Sequence, residues 1–359
     1  MGIKKFPDKD TPEFQNIKTS WENGESLISL SQRYHMSPSG MKDQLSKQGI
    51  KRQFTPQQMQ KVEPQPILLP PVEIQKYTPL KGRRGDPETQ ILLLGDHHAG
   101  EITPTCNPTV YKQRRKNLFK TTMRITDLHR HMYPINDLVI MMVGDMVHGE
   151  NVYQGANVET IACGAQEQIY EIALPELLSL ILSFKENFRT IKIYAVRGNH
   201  GRYSPIAPRT SNWDIILYKA LRDALTHYDI EMNVSNDFCQ MVVVQGFKIF
   251  AFHGDQFRAN QGIPYFAMSR KIKDWYFSYG PFDYTVCGHW HKDDFYRISS
   301  KVKAFINGAI PTDDPFALEI VGTSTIPTQW TFGMHERHGI TWTYSLVLDP
   351  KFLPQKDIK

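Results

Sequence analysis

The stretch Ile91-Leu92-Leu93-Leu94-Gly95-Asp96-His97-His98 decides how this chain is read. Four apolar residues that fit a buried strand run straight into glycine, aspartate and histidine. The same juncture recurs, in order, at Gly144-Asp145-Met146-Val147-His148, Gly198-Asn199-His200-Gly201, His253-Gly254-Asp255 and Gly288-His289-Trp290-His291. A lone Gly-Asp is mostly a turn, and a lone histidine mostly a satisfied core or surface residue. Five such signatures, each behind an apolar run, describe something else: side chains at successive strand ends, able to converge on one edge of a sheet.

Working outward, apolar strand candidates are Gln90–Leu94, Leu138–Val143, Ile191–Val196, Met241–Val244, Phe247–Phe252, Tyr284–Cys287, Val302–Ile306 and Ile340–Val347. Helical stretches fall between the early ones, at about 108–132, 157–187 and 213–227 by their periodicity. Gln245-Gly246 reads as a hairpin turn. Met334-His335-Glu336-Arg337-His338 reads as a loop despite its metal-like composition, and the alternating Thr341–Val347 as a closing strand. Strands alternating with helices predict an α/β sandwich with a mixed-sheet core over residues 89–359.

The N-terminal quarter differs in kind. Residues 1–52 predict a small all-α domain. Phe14, Ile17 and Trp21, then Leu27, Ile28, Leu30 and Tyr34, recur at helical spacing, and Ser37 or Ser39 can cap a last helix. That helix turns Met41, Leu45 and Ile50 inward and Lys42, Gln44, Lys47, Lys51 and Arg52 outward. Its shape resembles helix-turn-helix units, which implies DNA contacts at Lys42, Lys47, Lys51 and Arg52; a plain interaction module is the alternative. Residues 53–88 hold seven prolines and many glutamines and read as an extended linker, with Ile67-Leu68-Leu69 as a docking patch and Lys81, Arg83 and Arg84 near its end.

Composition narrows the classes. The formal excess of +5 lies wholly in residues 1–86, with 14 Lys/Arg against 9 Asp/Glu, while residues 87–359 carry 28 of each. A local basic excess suits a polyanion partner. No apolar run is long enough to span a membrane, no secretory signal is visible, and the four scattered cysteines form no CxxC pair. The expectation is a cytoplasmic, reduced protein with no membrane partner.

The signatures carry their own chemistry. Asp96, His98, Asp145, Asn199, His253, His289 and His291 offer seven oxygen or imidazole ligands. Such mixed ligation favours Mn²⁺, with Fe²⁺, Zn²⁺ or Mg²⁺ as alternatives. Two carboxylates against two divalent cations leave roughly two positive charges, enough to attract a phosphate and present hydroxide to phosphorus. His200, beside Asn199, can protonate a leaving oxygen. Arg197, Arg202, Tyr203, Trp290 and Lys292 lie near these ligands in sequence and are candidates for phosphate and base contacts.

The five signatures together resemble the calcineurin-like metallophosphoesterase superfamily over residues 90–310. The resemblance implies a four-layer α/β/β/α sandwich. It also implies one metal on Asp96, His98, Asp145 and His291, a second on Asp145, Asn199, His253 and His289, and His200 as the catalytic histidine. Asn307-Gly308-Ala309 loosely matches a turn that closes the family's core. His148 stands where phosphatases usually carry aspartate, and Gly-Asp-x-Val-His is similar to the SbcD-like repair nucleases, which implies that His148 positions a nucleotide for cleavage. Gly201 replaces the family's acidic residue, which leaves the orientation of His200 to another group, with Asp255 a candidate.

The expected function is therefore two-metal phosphodiester hydrolysis on DNA, exo- or endonucleolytic. A phosphomonoesterase acting on protein or nucleotide, and a non-catalytic DNA-binding regulator, are the alternatives. A homo-oligomer fits the sequence. About 50 residues follow the core, too few for a separate capping domain of ordinary size, and no ATPase-docking segment is visible, so an ATPase partner is not supported.

Overall fold

Thr11, Ser26 and Ser37 each turn a side-chain oxygen onto a backbone N–H three residues ahead, at Phe14, Ser29 and Gly40. These caps start α1 (Pro12–Glu22), α2 (Leu27–Arg33) and α3 (Pro38–Lys47). Phe6, Phe14, Ile17, Leu30, Met41 and Leu45 form their core. Ser37, not Ser39, is the cap of α3, and Ile28 is 61% exposed rather than inward, because Leu27 and Leu30 already fill the buried stripe of a two-turn helix. Lys42 and Lys47 are exposed. The computed structural model describes residues 6–23, 25–50, 85–150, 160–204, 206–258, 264–313 and 325–353. Lys51, Arg52, the Ile67–Leu69 patch, Lys81, Arg83 and Arg84 lie outside them. The chain divides into two units, Met1–Val72 and Glu73–Lys359.

In the second unit, β1 (Glu88–Leu94) is buried along its whole length, its apolar half Ile91–Leu94 following three buried polar residues, Glu88, Thr89 and Gln90. It pairs in parallel with β2 (Ile135–Met142), which pairs with β3 (Thr190–Ala195), and that with β4 (Glu231–Val234). On its other side it pairs antiparallel with β10 (Thr328–His335), itself antiparallel to β11 (Gly339–Val347), giving the order β11-β10-β1-β2-β3-β4. The second sheet has the order β5-β6-β7-β9-β8, from β5 (Cys239–Val244), β6 (Phe247–Phe252), β7 (Tyr284–Cys287), β8 (Asp294–Arg297) and β9 (Lys303–Ile306). The Gln245-Gly246 turn joins β5 to β6 with both residues at positive φ, 51° and 82°, as a two-residue hairpin needs.

The two mixed sheets share one core. Ile91, Leu93, Val139 and Met141 of the first meet Val242, Ile249, Val286 and Phe305 of the second, with Trp330 and Phe332 beside them. The outer face of the second sheet packs Phe250, Phe252, Ala304 and Ile306 against Met268 and Ile272 of α8 (Tyr265–Ser278). Helices α4 (Pro108–Arg130), α5 (Ala165–Glu167), α6 (Leu174–Lys185) and α7 (Trp213–Leu225) belong to the first sheet's side, α4 touching β2 and β11 and α7 touching β4. The architecture is the α/β/β/α sandwich. Between α5 and α6 the helix widens into one π-helical turn, Gln168–Ala173. All four cysteines are free thiols, and no described helix is long and apolar enough to cross a membrane.

The 334–338 segment is not all loop: Met334 and His335 end β10, and Glu336–His338 make its turn into β11. β10 is buried throughout, although half of it is polar. Its Gln329 explains how. Gln329 Nε2 donates to the carbonyls of Gly95, Gly308 and Thr328 at 3.0, 2.9 and 2.8 Å, and Oε1 accepts from Gly95 N at 2.9 Å and Asn307 Nδ2 at 2.8 Å. Asn307 Oδ1 in turn accepts from Trp330 N at 2.9 Å. The Asn307-Gly308-Ala309 turn thus docks on β10 and on the end of β1, one residue before Asp96.

Replacing Gln329 by leucine keeps the volume and strands several buried polar groups, each costing about 1–3 kcal/mol. Gln329→Leu is expected to destabilise the second unit by roughly 2–5 kcal/mol. Urea unfolding of the two proteins reads this directly, and an unchanged midpoint would refute it.

Candidate metal centre

The ligand candidates sit where strands stop. β1 delivers Asp96 and His98, β2 Asp145, β3 Asn199 and His200, β6 His253, and β7 His289 and His291. The turns that carry them are tight. Asp96, His98, Asp145, His289 and His291 have φ of 52°, 43°, 53°, 75° and 53°, the left-handed region that side-chain-bearing residues seldom adopt. Gly198 lets the β3 turn close on the β2 turn, since a Cβ there would lie 2.0 Å from Asp145 Oδ1.

Two donor groups result. In one, His98 Nε2 lies 2.9 Å from His291 Nε2, with Asp96 Oδ1 at 3.9 and 3.7 Å from the two. In the other, His253 Nε2 is 2.9 Å from both Asp145 Oδ2 and Asn199 Oδ1, and His289 Nδ1 is 2.9 Å from the same amide oxygen. Ligands about 2.1 Å from one ion, at tetrahedral to octahedral angles, stand about 3.0–3.4 Å apart. The 2.9 Å pairs come close to that spacing and Asp96 stands wider, at 3.7 and 3.9 Å, so the two groups suit two divalent ions in donor chemistry and approach their spacing. His98, His148 and His200 form a third cluster, with ligand atoms within 4.8 Å of one another.

A buried carboxylate outside the signatures holds these turns together. Asp214, in the first turn of α7, accepts from Asp145 N at 2.9 Å, Met146 N at 3.0 Å and Gly198 N at 2.8 Å. Asn212 caps the same helix and donates to the Gly198 carbonyl at 2.9 Å. Sequence reasoning missed Asp214. An asparagine cap with an acid two residues on marks a helix start, but nothing local says that the acid reaches two other loops.

The orientation of His200 is answered by backbone. His200 Nδ1 lies 3.2 Å from the His148 carbonyl, and His200 N donates to Asp145 Oδ1 at 2.8 Å. Asp255, the sequence candidate, instead accepts from Gln256. The His148 segment is itself fixed. Gln168, fully buried on the π-helical turn, accepts from Gly149 N at 2.8 Å and donates to the carbonyls of Gly149 and Cys163 at 3.2 and 2.9 Å. His148 Nδ1 stands 3.8 Å from the buried carboxylate of Glu101. Gln168 and Glu101 were also unseen in the sequence.

Electrostatics favour cations. Burial pushes His148 and His289 down to about 3 and His291 to about 4, with neighbouring imidazoles adding to it, so these rings are neutral at neutral pH. Burial likewise raises Asp96 well above the carboxylate range, with Asp145 adding to it, and lifts Asp214 to about 6. Asp145 runs the other way: burial opposes its charge, but His253 and His200 outweigh that and hold it well below its usual value. His253 is the partner. Burial works against its cation, yet Asp145, Asp96 and Asp255 together raise it to about 10.

The candidate substrate residues separate. Arg197 is buried and donates to the Asn236 carbonyl at 2.9 Å, tying β3 to the chain beyond β4. Arg202 is half-buried and bridges to Asn212. The Tyr203 ring packs 4.1 Å from that of Trp213, Trp290 stacks on Phe257 at 5.9 Å, and Lys292 is exposed.

A model of the calcineurin-like phosphoesterase family matches residues 89–293, and the chain belongs to that family. It is accordingly a metal-dependent phosphoester hydrolase of a family that uses a dinuclear metal centre. Among solved structures it is similar to a predicted phosphoesterase from Streptococcus pneumoniae (11% identity, 73% of this chain and 99% of that one, TM-score 0.31). It is also similar to zinc-complexed Vps29 from Entamoeba histolytica (11%, 72% and 99%, TM-score 0.32) and to a 5'-nucleotidase from Candida albicans (14%, 75% and 54%, TM-score 0.32). No curated protein matches the sequence.

Asp214→Asn sets an amide N–H₂ against a backbone N–H and is expected to weaken metal binding about 10- to 100-fold, read by calorimetric titration. The pH dependence has a definite sign. Without metal, His253 holds its proton up to about pH 10, and a cation at Nε2 must displace it. Binding should therefore release protons and weaken about 100-fold per released proton between about pH 8 and about pH 6. Titration in buffers of different ionisation enthalpy counts those protons; pH-independent affinity would contradict the pairing.

Proposed function

We propose that this chain is a two-metal phosphodiesterase that cleaves DNA. The observation that carries the reading is the third histidine cluster, in which His148 joins His98 and His200 beside the two donor groups. In this proposal Asp96, His98, Asp145 and His291 hold one cation and Asp145, Asn199, His253 and His289 the other, with Asp145 shared. Mn²⁺ is the proposed ion. Once bound, such a pair supplies charge for the phosphate oxygens and lowers the pKa of water.

The chain's own residues do the rest. With Nδ1–H donating to the His148 carbonyl, His200 keeps Nε2 for the substrate, where a proton can pass to the leaving alkoxide. His148, neutral and backed by Glu101, can donate one hydrogen bond to the nucleotide and fix its position. A phosphodiester needs such a group because two nucleotides, rather than one, must be aligned. Lys292 and Arg202 would meet flanking phosphates, and Tyr203 or Trp290 a base. The basic three-helix unit supplies a DNA-binding module through Lys42, Lys47, Lys51 and Arg52. Residues 53–88 link it to the hydrolase, raising the local concentration of DNA.

End-labelled single- and double-stranded DNA with Mn²⁺ tests this. Asp145→Ala and His200→Ala are expected to lower cleavage at least about 100-fold. His148→Ala should impair DNA cleavage more than hydrolysis of bis(p-nitrophenyl) phosphate. A wild-type protein inert on every DNA form but active on phosphomonoesters would overturn the proposal in favour of a phosphatase.

A further inference from the structure

α8 carries a surface that the fold does not explain. Its inner face is apolar and packed, through Met268 and Ile272, on the second sheet. Its outer face presents Phe266, Arg270, Lys273 and Phe277, all exposed, the two phenylalanines at 68% and 85%. Separations of four, three and four residues at 100° each keep the four within an arc of about 60°, one straight stripe along the helix. The order is aromatic, basic, basic, aromatic. Leaving one phenylalanine in water is ordinary; two on the same line, with two cations between them and Asp274 as the acid on the adjoining face, are a patterned surface.

β6 and β7 are parallel, so α8, which crosses from one to the other, begins on the side of the sheet where His253 follows β6 and ends at the start of β7. Lys271 donates to the carbonyl of Gln256, three residues past His253, and Phe257 stacks on Trp290, which lies between His289 and His291. At the far end, the ring of Phe277 stands 5.9 Å from that of Tyr276, and Tyr276 lines an open cleft of about 380 Å³ with Phe282, Lys248, Lys301 and one acid, Asp283. From Phe266 to Phe277 is about 16 Å at 1.5 Å per residue, roughly five bases at the 3.4 Å spacing of a stacked strand.

We infer that α8 is a track for a single nucleic-acid strand, which leads from the Lys248/Lys301 cleft to the metal centre. Phe266 and Phe277 stack bases, and Arg270 and Lys273 pair with the phosphates between them. Sequence-tolerant single-strand binding needs this alternation of flat apolar rings and cations. A protein is the competing occupant, since phenylalanine and arginine are enriched at protein interfaces; Lys273, of a type depleted there, and the placing of both cations between the two rings favour the strand. The inference rests on the nuclease reading and deepens it: the strand to be cut arrives unpaired, along this helix.

The test uses the full chain, a fluorescein-labelled single-stranded oligonucleotide, and bis(p-nitrophenyl) phosphate as a substrate too small to reach the track. Loss of one stacked base weakens binding about 5- to 150-fold, so the double variant Phe266→Ala/Phe277→Ala should bind at least about tenfold more weakly. The variant Arg270→Gln/Lys273→Gln should lower the slope of log affinity against log salt by about 1.4, or 0.7 per charge. Both variants should keep wild-type turnover of the small diester, which shows that they fold. Unchanged oligonucleotide affinity in both would overturn the track while leaving the nuclease reading standing. Unchanged affinity with an altered oligomeric state would assign the stripe to a protein interface and also overturn it. A wild-type protein that neither binds nor cuts the oligonucleotide would remove both readings.

Discussion

Everything at the metal centre depends on one buried carboxylate accepting three backbone N–H groups. Asp214 holds the turn after β2 at two points and the turn after β3 at a third. Besides it, the two turns are tied by His200 N donating to Asp145 Oδ1 at 2.8 Å. The need for so strong a clamp follows from the backbone. Five residues of the two donor groups sit at positive φ, and each such conformation costs of order 1–3 kcal/mol for a side-chain-bearing residue. Together that is comparable with the roughly 5–15 kcal/mol by which a whole domain is stable. Such geometry persists only where surrounding hydrogen bonds over-determine it. Asp214 does this on one side, and the Gln329–Asn307 network does it on the other, through Gly95.

The clamp has an electrostatic consequence. Asp96, Asp145 and Asp214 are all fully buried, and the last two repel each other while sharing the β2 turn. Without cations the chain relieves this by pairing His253 with Asp145 and by favouring protonation of Asp96. Neither resolves the crowding of neutral imidazoles at His98, His289 and His291. Two divalent ions would resolve both, since carboxylates and imidazole lone pairs each stabilise positive charge. The crowding of buried carboxylates and neutral imidazoles thus favours cations at the donor groups.

The sequence showed what depends on local pattern. β1, β2, β6 and β7 end in runs that are buried on both faces and so read as apolar stretches, β3 shows alternation instead, and the donors stood out as polar residues at their ends. β10 stayed hidden because Thr328, Gln329 and Thr331 are fully buried yet polar, and they are satisfied by partners far away in sequence. β4 and β8 are four residues each, too short to show alternation. α8 (Tyr265–Ser278) did not show in the sequence, where its apolar residues do not keep to one face: Met268 and Ile272 are buried but Phe266 and Phe277 are exposed. Asp214, Gln168 and Glu101 act over long sequence distances, and no local signal marks that.

Gly201 shows how the departure from the family pattern is built in. A Cβ at this position would meet Asn212 Oδ1 at 2.4 Å, and that oxygen caps α7 while the same side chain's amide holds the Gly198 carbonyl. An acidic side chain at 201 would therefore displace the cap that positions Asp214, and with it the β2 and β3 turns. The chain keeps the cap and moves the task of orienting His200 to a backbone carbonyl, that of His148. A carbonyl orients an imidazole without adding charge, so it fixes the tautomer but does not raise the ring's basicity as a carboxylate would. It also makes the orientation of His200 depend on the path of the 148–149 backbone, which Gln168 sets from the π-helical turn. The main chain of His148, whose ring centroid stands 5.2 Å from that of His200, thus aims the histidine beside it.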